Sequence, residues 1–209
     1  MQIAVFGATG RTGVPLVRQA LDRGHDVVAF ARSPEKLPVE DSALTVVEGD
    51  AYGGDGVAEA VAGADAVVSV LGQTDAGPGD LLTVAGDNVL AAMETAGVDR
   101  FVTLVGAGVR EEGERVSLSG KAMGALLKLF ARDVLDDAAE HVRRVGATDL
   151  DWTVVRAPRL TDGAGTGEYR AGEIDLGFES IARADVARFV LDCVEEDLYL
   201  RAMPKVGSA

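Results

Sequence analysis

Residues 5–13 read Val-Phe-Gly-Ala-Thr-Gly-Arg-Thr-Gly, three glycines spaced three apart between a continuous apolar run, Gln2–Phe6, and a helical pattern, Thr12–Arg23. A strand that turns sharply into a helix needs a residue without a Cβ at the turn, which Gly7 supplies. Gly10 lets backbone approach a bulky anion, and Gly13 lets the helix pack closely on the strand. The N–H groups around Arg11 and Thr12, with Thr9 in the same loop, then point outward from a helix N-terminus whose dipole favours negative charge. The segment reads as a cradle for the pyrophosphate of a dinucleotide; the plainer alternative is a tight turn that binds nothing.

Downstream, apolar runs of strand length alternate with helical patterns, the signature of a parallel sheet covered on both faces. Strands are expected at Asp26–Ala31, Leu44–Glu48, Asp65–Leu71, Phe101–Val105 and Trp152–Arg156, with an edge strand at Leu198–Met203. Helices are expected at Gly56–Ala62, Leu81–Thr95, Asp133–Val145 and Ala184–Glu195, and Gly24 and Gly97 stop the helices before them. Gly106–Gly120 lacks periodicity and reads as a loop over the carboxyl edge of the sheet. Ala122–Ala131 reads as a core helix, with a lid or a homodimer contact as alternatives. Right-handed crossovers give the strand order 3-2-1-4-5, so the fold class is α/β, a Rossmann-type doubly wound parallel sheet. No repeat or linker divides residues 1–209, which form a single domain with the substrate pocket built by its C-terminal segments.

A formal net charge of −14 argues against nucleic acid as a partner, because phosphate binding needs a basic surface. The acid is spread along the whole chain, a pattern that fits a hydrated surface adapted to high salt, a halophilic trait. No apolar run approaches the roughly 18 residues of a membrane span, and no basic segment precedes the first strand, so a cytoplasmic location away from membranes is expected. The single cysteine, Cys193, reads as a buried core thiol, and two histidines placed as His25 and His141 are make no metal site. His141 reads as a surface helical histidine. Asp136, Asp137 and Glu140 read as a solvated acidic face, and Glu111-Glu112-Gly113-Glu114 as exposed loop.

Sites that prefer NAD place an acid at the end of the second strand to hold the adenosine ribose. This chain has Phe30-Ala31-Arg32-Ser33 there, followed by Lys36. Arg32 can pair with a 2′-phosphate, Ser33 can donate to it and Arg11 can reach it from the loop, which favours NADP(H) over NAD(H). The alternative for Arg32 is a solvated charge beside Glu35.

Taken together, Gly7–Gly13, Arg32-Ser33-Pro34-Glu35-Lys36-Leu37, Glu48-Gly49-Asp50 and Asp151–Pro158 resemble the atypical short-chain dehydrogenase/reductase-like NAD(P)-binding proteins. The likeness is to the biliverdin reductase B/flavin reductase-like and NmrA-like branch, and it runs nearly end to end. The resemblance implies that Asp50 and Ala51 border the adenine and that Leu71, Gly72 and Gln73 run beside the cofactor ribose. It also implies that Arg156, Ala157 and Pro158 lie near the nicotinamide. The chain departs from standard short-chain dehydrogenases in lacking Tyr-x-x-x-Lys, since none of Tyr52, Tyr169 and Tyr199 has Lys four residues on. Where many relatives have Ser after the fifth strand, it reads Val105-Gly106-Ala107-Gly108, which leaves room for a flat acceptor.

Hydride transfer to a flat conjugated acceptor needs stacking and alignment more than a side-chain acid, because the cofactor carries the chemistry. The expected function is an NADPH-dependent reductase of a flavin, quinone or biliverdin-like small molecule, with no catalytic side chain assigned. Its pocket would be walled by Gly106–Val109, Pro158–Asp162 and Ala122–Phe130. A non-catalytic NADP(H)-sensing regulator is the alternative, and a nucleotide-sugar epimerase or dehydratase relative the second one.

Overall fold

The computed structural model describes residues 1–73, 77–111, 113–114 and 132–209. The first strands are β1 (Gln2–Phe6), β2 (Asp26–Ala31), β3 (Leu44–Glu48), β4 (Ala66–Ser69), β5 (Arg100–Gly106) and β6 (Asp151–Ala157). They pair in parallel in the order β3-β2-β1-β4-β5-β6, which contains the predicted 3-2-1-4-5 arrangement.

Alternation along each strand sends side chains to two cores. Ile3 and Val5 join one core with helices α1 (Gly13–Asp22) and α5 (Arg183–Glu195). Ala4 and Phe6 join the other with α2 (Val57–Val61) and α3 (Leu81–Ala96), and α4 (Arg132–Gly146) adds Ala138 and Val145 to it. Both faces are therefore covered, which is why the strands read as unbroken apolar runs. Phe6 and Phe30 meet at 4.8 Å between ring centroids. Each such fully buried side chain contributes about 1.5–3 kcal/mol. Cys193 is buried within the α5 core, where burial pushes its thiol up to about 12. No helix among the described residues is long and apolar enough to cross a membrane.

The C-terminal part differs from expectation. Leu198–Met203 is not a strand: Asp197, Tyr199 and Arg201 have φ of 51°, 56° and 53°, which an extended strand cannot accommodate. The buried Arg100 guanidinium stabilises this turn through the carbonyls of Cys193 at 2.5 Å and Leu198 at 3.3 Å. The strand falls later, and β10 (Lys205–Ser208) lies between β6 and the antiparallel edge strand β8 (Tyr169–Gly172). Two three-residue strands, β7 (Arg159–Thr161) and β9 (Ser180–Ala182), pair separately beyond the end of β6. Only 106–111 and 113–114 of the expected 106–120 loop are described, and the expected helix 122–131 lies outside the described residues.

Candidate nucleotide site at the carboxyl edge

The loop joining β1 to α1 has the geometry its glycines predict. Gly7 sits at φ 85°, and a Cβ there would lie 2.9 Å from the Val70 carbonyl group. A Cβ on Gly13 would overlap the Gly7 carbonyl oxygen and lie 2.8 Å from Ala8, so helix and strand meet as closely as backbone allows. The Gly10 N–H donates to Gly7 O at 2.9 Å and closes the turn internally. Val14 donates back to Gly10 O at 2.9 Å, whereas the N–H groups of Arg11, Thr12 and Gly13 meet no acceptor among the described residues. These three N–H groups form the open N-terminus of α1, the arrangement that binds anions. Thr9 is half-buried in the same loop, and Thr12, though buried, makes no side-chain cap.

At the end of β2, Arg32 and Lys36 are exposed and neither makes an ion pair or side-chain hydrogen bond among the described residues. Glu35 does not hold Arg32. Ser33 is half-buried and its carbonyl accepts from the Lys36 N–H at 3.1 Å, shaping the short turn Pro34–Lys36. Arg11 is engaged differently from expectation. Its guanidinium reaches Asp162, after β7, at 3.2 Å, and Asp162 also pairs with Arg183 at 2.6 Å.

After β3, the Asp50 carboxylate accepts from the Tyr52 N–H at 3.2 Å, and the Asn88 side chain donates to the Ala51 carbonyl at 2.9 Å. Leu71 is half-buried and Gly72 is exposed after β4. A Cβ on Gly72, or on Gly106 at the end of β5, would meet nothing within 4 Å among the described residues. Pro158 is half-buried where β6 ends.

Arg156 is fully buried. Its Nε donates to Met203 O at 2.7 Å and its Nη1 to the Glu114 carboxylate at 2.5 Å, while the Lys205 ammonium also contacts Glu114. The guanidinium thus ties β6 to the segment after β5 beneath the edge, and Ala157 and Pro158 are the residues of that stretch at the strand end. Glu114 is correspondingly not exposed loop. Paired with Lys205 and Arg156, its carboxyl is held at about 2 despite its burial.

Two further readings are corrected. His141 is buried, its Nε2 within 3.1 Å of Thr103 Oγ1 and its Nδ1 without a hydrogen-bond partner among the described residues, and burial pushes its imidazole down to about 4. Gly86 makes room for it, since a Cβ there would overlap the ring. Asp137 is buried as well and accepts the N–H groups of Leu82 and Thr83, each at 2.9 Å, capping α3. It also accepts from Gln73 Nε2 at 2.6 Å. Asp136 and Glu140 remain toward solvent in ion pairs with arginines of their own helix. The signal for Asp137 and His141 was their spacing: with Ala138 and Val145 they form one stripe of α4, the face that must pack inward. His25 lies away from this edge, bonded to Glu195 at 2.6 Å.

Comparison with known proteins supports the same assignment. The NAD(P)H-binding family model matches residues 7–197. The chain is 30% identical over 210 residues to YwnB, an uncharacterized protein of Bacillus subtilis, covering 93% of this chain and 92% of YwnB. The structure of SP1627 from Streptococcus pneumoniae, a candidate NADH-flavin reductase, superposes with a TM-score of 0.80 at 24% identity over 100% of both chains. That of ChuY, an anaerobillin reductase from Escherichia coli, does so with a TM-score of 0.79 at 22% identity, covering 100% of this chain and 97% of ChuY. At those identities the two structures bear on the fold. With a family match that begins at the first glycine of the loop and runs past the end of α5, the chain belongs to the NAD(P)H-binding family, on an atypical short-chain dehydrogenase/reductase-like Rossmann frame.

Proposed function

We propose that the protein is an NADPH-dependent reductase that passes hydride to a flat conjugated acceptor of the flavin, quinone or biliverdin type. The observation that carries the reading is the pairing of an open helix N-terminus at Arg11–Gly13 with two cations at the end of β2, Arg32 and Lys36, that have no side-chain partner among the described residues. The first suits a pyrophosphate, and the second adds a site for a further phosphate on the adenosine ribose. Arg11 would contribute by leaving Asp162. Among the described residues nothing crowds Gly72 or Gly106 at the carboxyl edge, which suits a planar ring, and the reductase character of SP1627 and ChuY agrees with this choice.

Bound NADPH supplies two electrons and one proton as hydride, and solvent supplies the second proton to the reduced acceptor. The protein's own work is to hold both partners in register and to keep water from between them. Purified protein with NADPH and a panel of FMN, riboflavin, quinones and biliverdin, followed by loss of nicotinamide absorbance, tests this. Turnover with one of these acceptors is expected. Tight NADPH binding without turnover on any of them would favour the sensing regulator instead.

A further inference from the structure

Gln73 follows β4, and its side-chain nitrogen faces two acceptors: Nε2 lies 2.5 Å from the Gly79 carbonyl oxygen and 2.6 Å from Asp137 Oδ2. A carbonyl can only accept, and the Asp137 carboxylate already takes the Leu82 and Thr83 N–H groups. The amide therefore has one permitted orientation. Both of its N–H bonds are consumed within the protein, and Oε1, which has no partner among the described residues, is the atom left over. A glutamine that ordinarily offers either a donor or an acceptor is reduced to an acceptor alone. The carboxylate that enforces this belongs to α4, far along the chain, and is itself buried at 6% exposure.

We propose that Asp137 is a positioning residue for the nucleotide site. By clamping Gln73 against Gly79 it presents Oε1 as a fixed acceptor for a ribose hydroxyl of the bound dinucleotide. The same carboxylate caps α3, so helix start and ligand contact are set by one group, and the site's geometry is inherited from the α3–α4 packing. The role rests on the dinucleotide reading of the carboxyl edge.

Asp137→Asn tests it. The remaining oxygen can keep the Thr83 N–H, and the new NH2 then stands where Oδ2 was, confronting the Leu82 N–H and the Gln73 NH2 together. The amide can then satisfy Gly79 or Asn at 137, not both, and its orientation is lost. NADPH affinity is expected to fall about tenfold in the wild-type background. In a Gln73→Ala background the same substitution should change affinity less than about twofold, because the contact it acts through is already gone. Thermal melting of all four proteins separates the helix-capping loss, which appears in both backgrounds. An equal affinity loss in both backgrounds would remove the positioning role while leaving the cofactor reading intact. Failure of the wild-type chain to bind NADPH or NADH would remove both. Hydrogen exchange of the Gln73 side-chain amide in the wild-type protein gives a test free of any folding defect: slow exchange of both protons is expected, and exchange at the rate of a free amide would overturn the clamp.

Discussion

Arg32 is exposed without an ionic partner among the described residues, so its charge is available to a ligand and contributes little to the fold. Arg32→Ala is expected to weaken NADPH binding about tenfold, the worth of a charge-assisted contact, while leaving NADH nearly unchanged and melting like the wild type. Equal losses for both dinucleotides would show that the side chain does not read the extra phosphate. His141 makes a different prediction. Its imidazole, held near 4 against an ordinary 6.5, takes up a proton in the unfolded chain before it does so in the folded one. Its contribution is thus complete above about pH 6.5 and is lost as pH falls toward 4, by up to about 3 kcal/mol. Glu114, held near 2, begins to cost stability only below the normal carboxylate range, so the window from about 6.5 to 4.5 belongs to His141. A melting series across that window should slope for the wild type and flatten in His141→Asn; the same slope in both would refute the assignment. Neither His141 nor Asp137 was legible as buried from its type alone, because a polar side chain is admitted to a core by partners that sequence does not display. For His141 that partner is Thr103 on β5, and for Asp137 it is the start of α3.

Among the elements, the loop between β1 and α1 was the most legible, because each glycine answers a local steric demand. Gly13→Ala would drive a methyl into the Gly7 carbonyl, and the only relief is to part α1 from β1. The substitution is expected to cost about 1–3 kcal/mol of stability, as overpacking does, and more than tenfold in dinucleotide affinity. A fully folded variant with wild-type affinity, measured by melting and titration together, would contradict this. β2 was readable to the residue because it is a central parallel strand, a continuous apolar run between turn residues; β3, at the sheet edge and mostly exposed, was readable from its short run Leu-Thr-Val-Val. The C-terminal third resisted for identifiable reasons. β7 and β9 are too short to show a period, and β10 reads Lys-Val-Gly-Ser, with one large apolar residue in four. The stretch before it looks strand-like in composition, yet three residues with positive φ turn it, held by Arg100 from the start of β5.

At the scale of the molecule, 34 acidic against 20 basic residues leave a charge of −14 to be screened. Melting temperature is expected to rise with added salt from about 0.1 M to molar concentrations, where the Debye length shrinks from about 10 Å to about 3 Å. Stability indifferent to salt would argue against a surface adapted to it. The doubly wound sheet itself places the ends of β1, β2, β4, β5 and β6 along one edge, and this is why residues as distant in sequence as Gly7, Arg32, Gln73, Gly106 and Pro158 can serve one ligand. Fold alone does not select that ligand; in the proposed reading, the cations after β2 that are unpaired among the described residues and the open N–H groups of α1 would. Equilibrium titration of the purified protein with NADPH and with NADH, side by side, addresses this most directly. Saturable binding of one NADPH per chain, with NADH several-fold weaker, is the expected result, and tighter binding of NADH, or no binding of either, would contradict it.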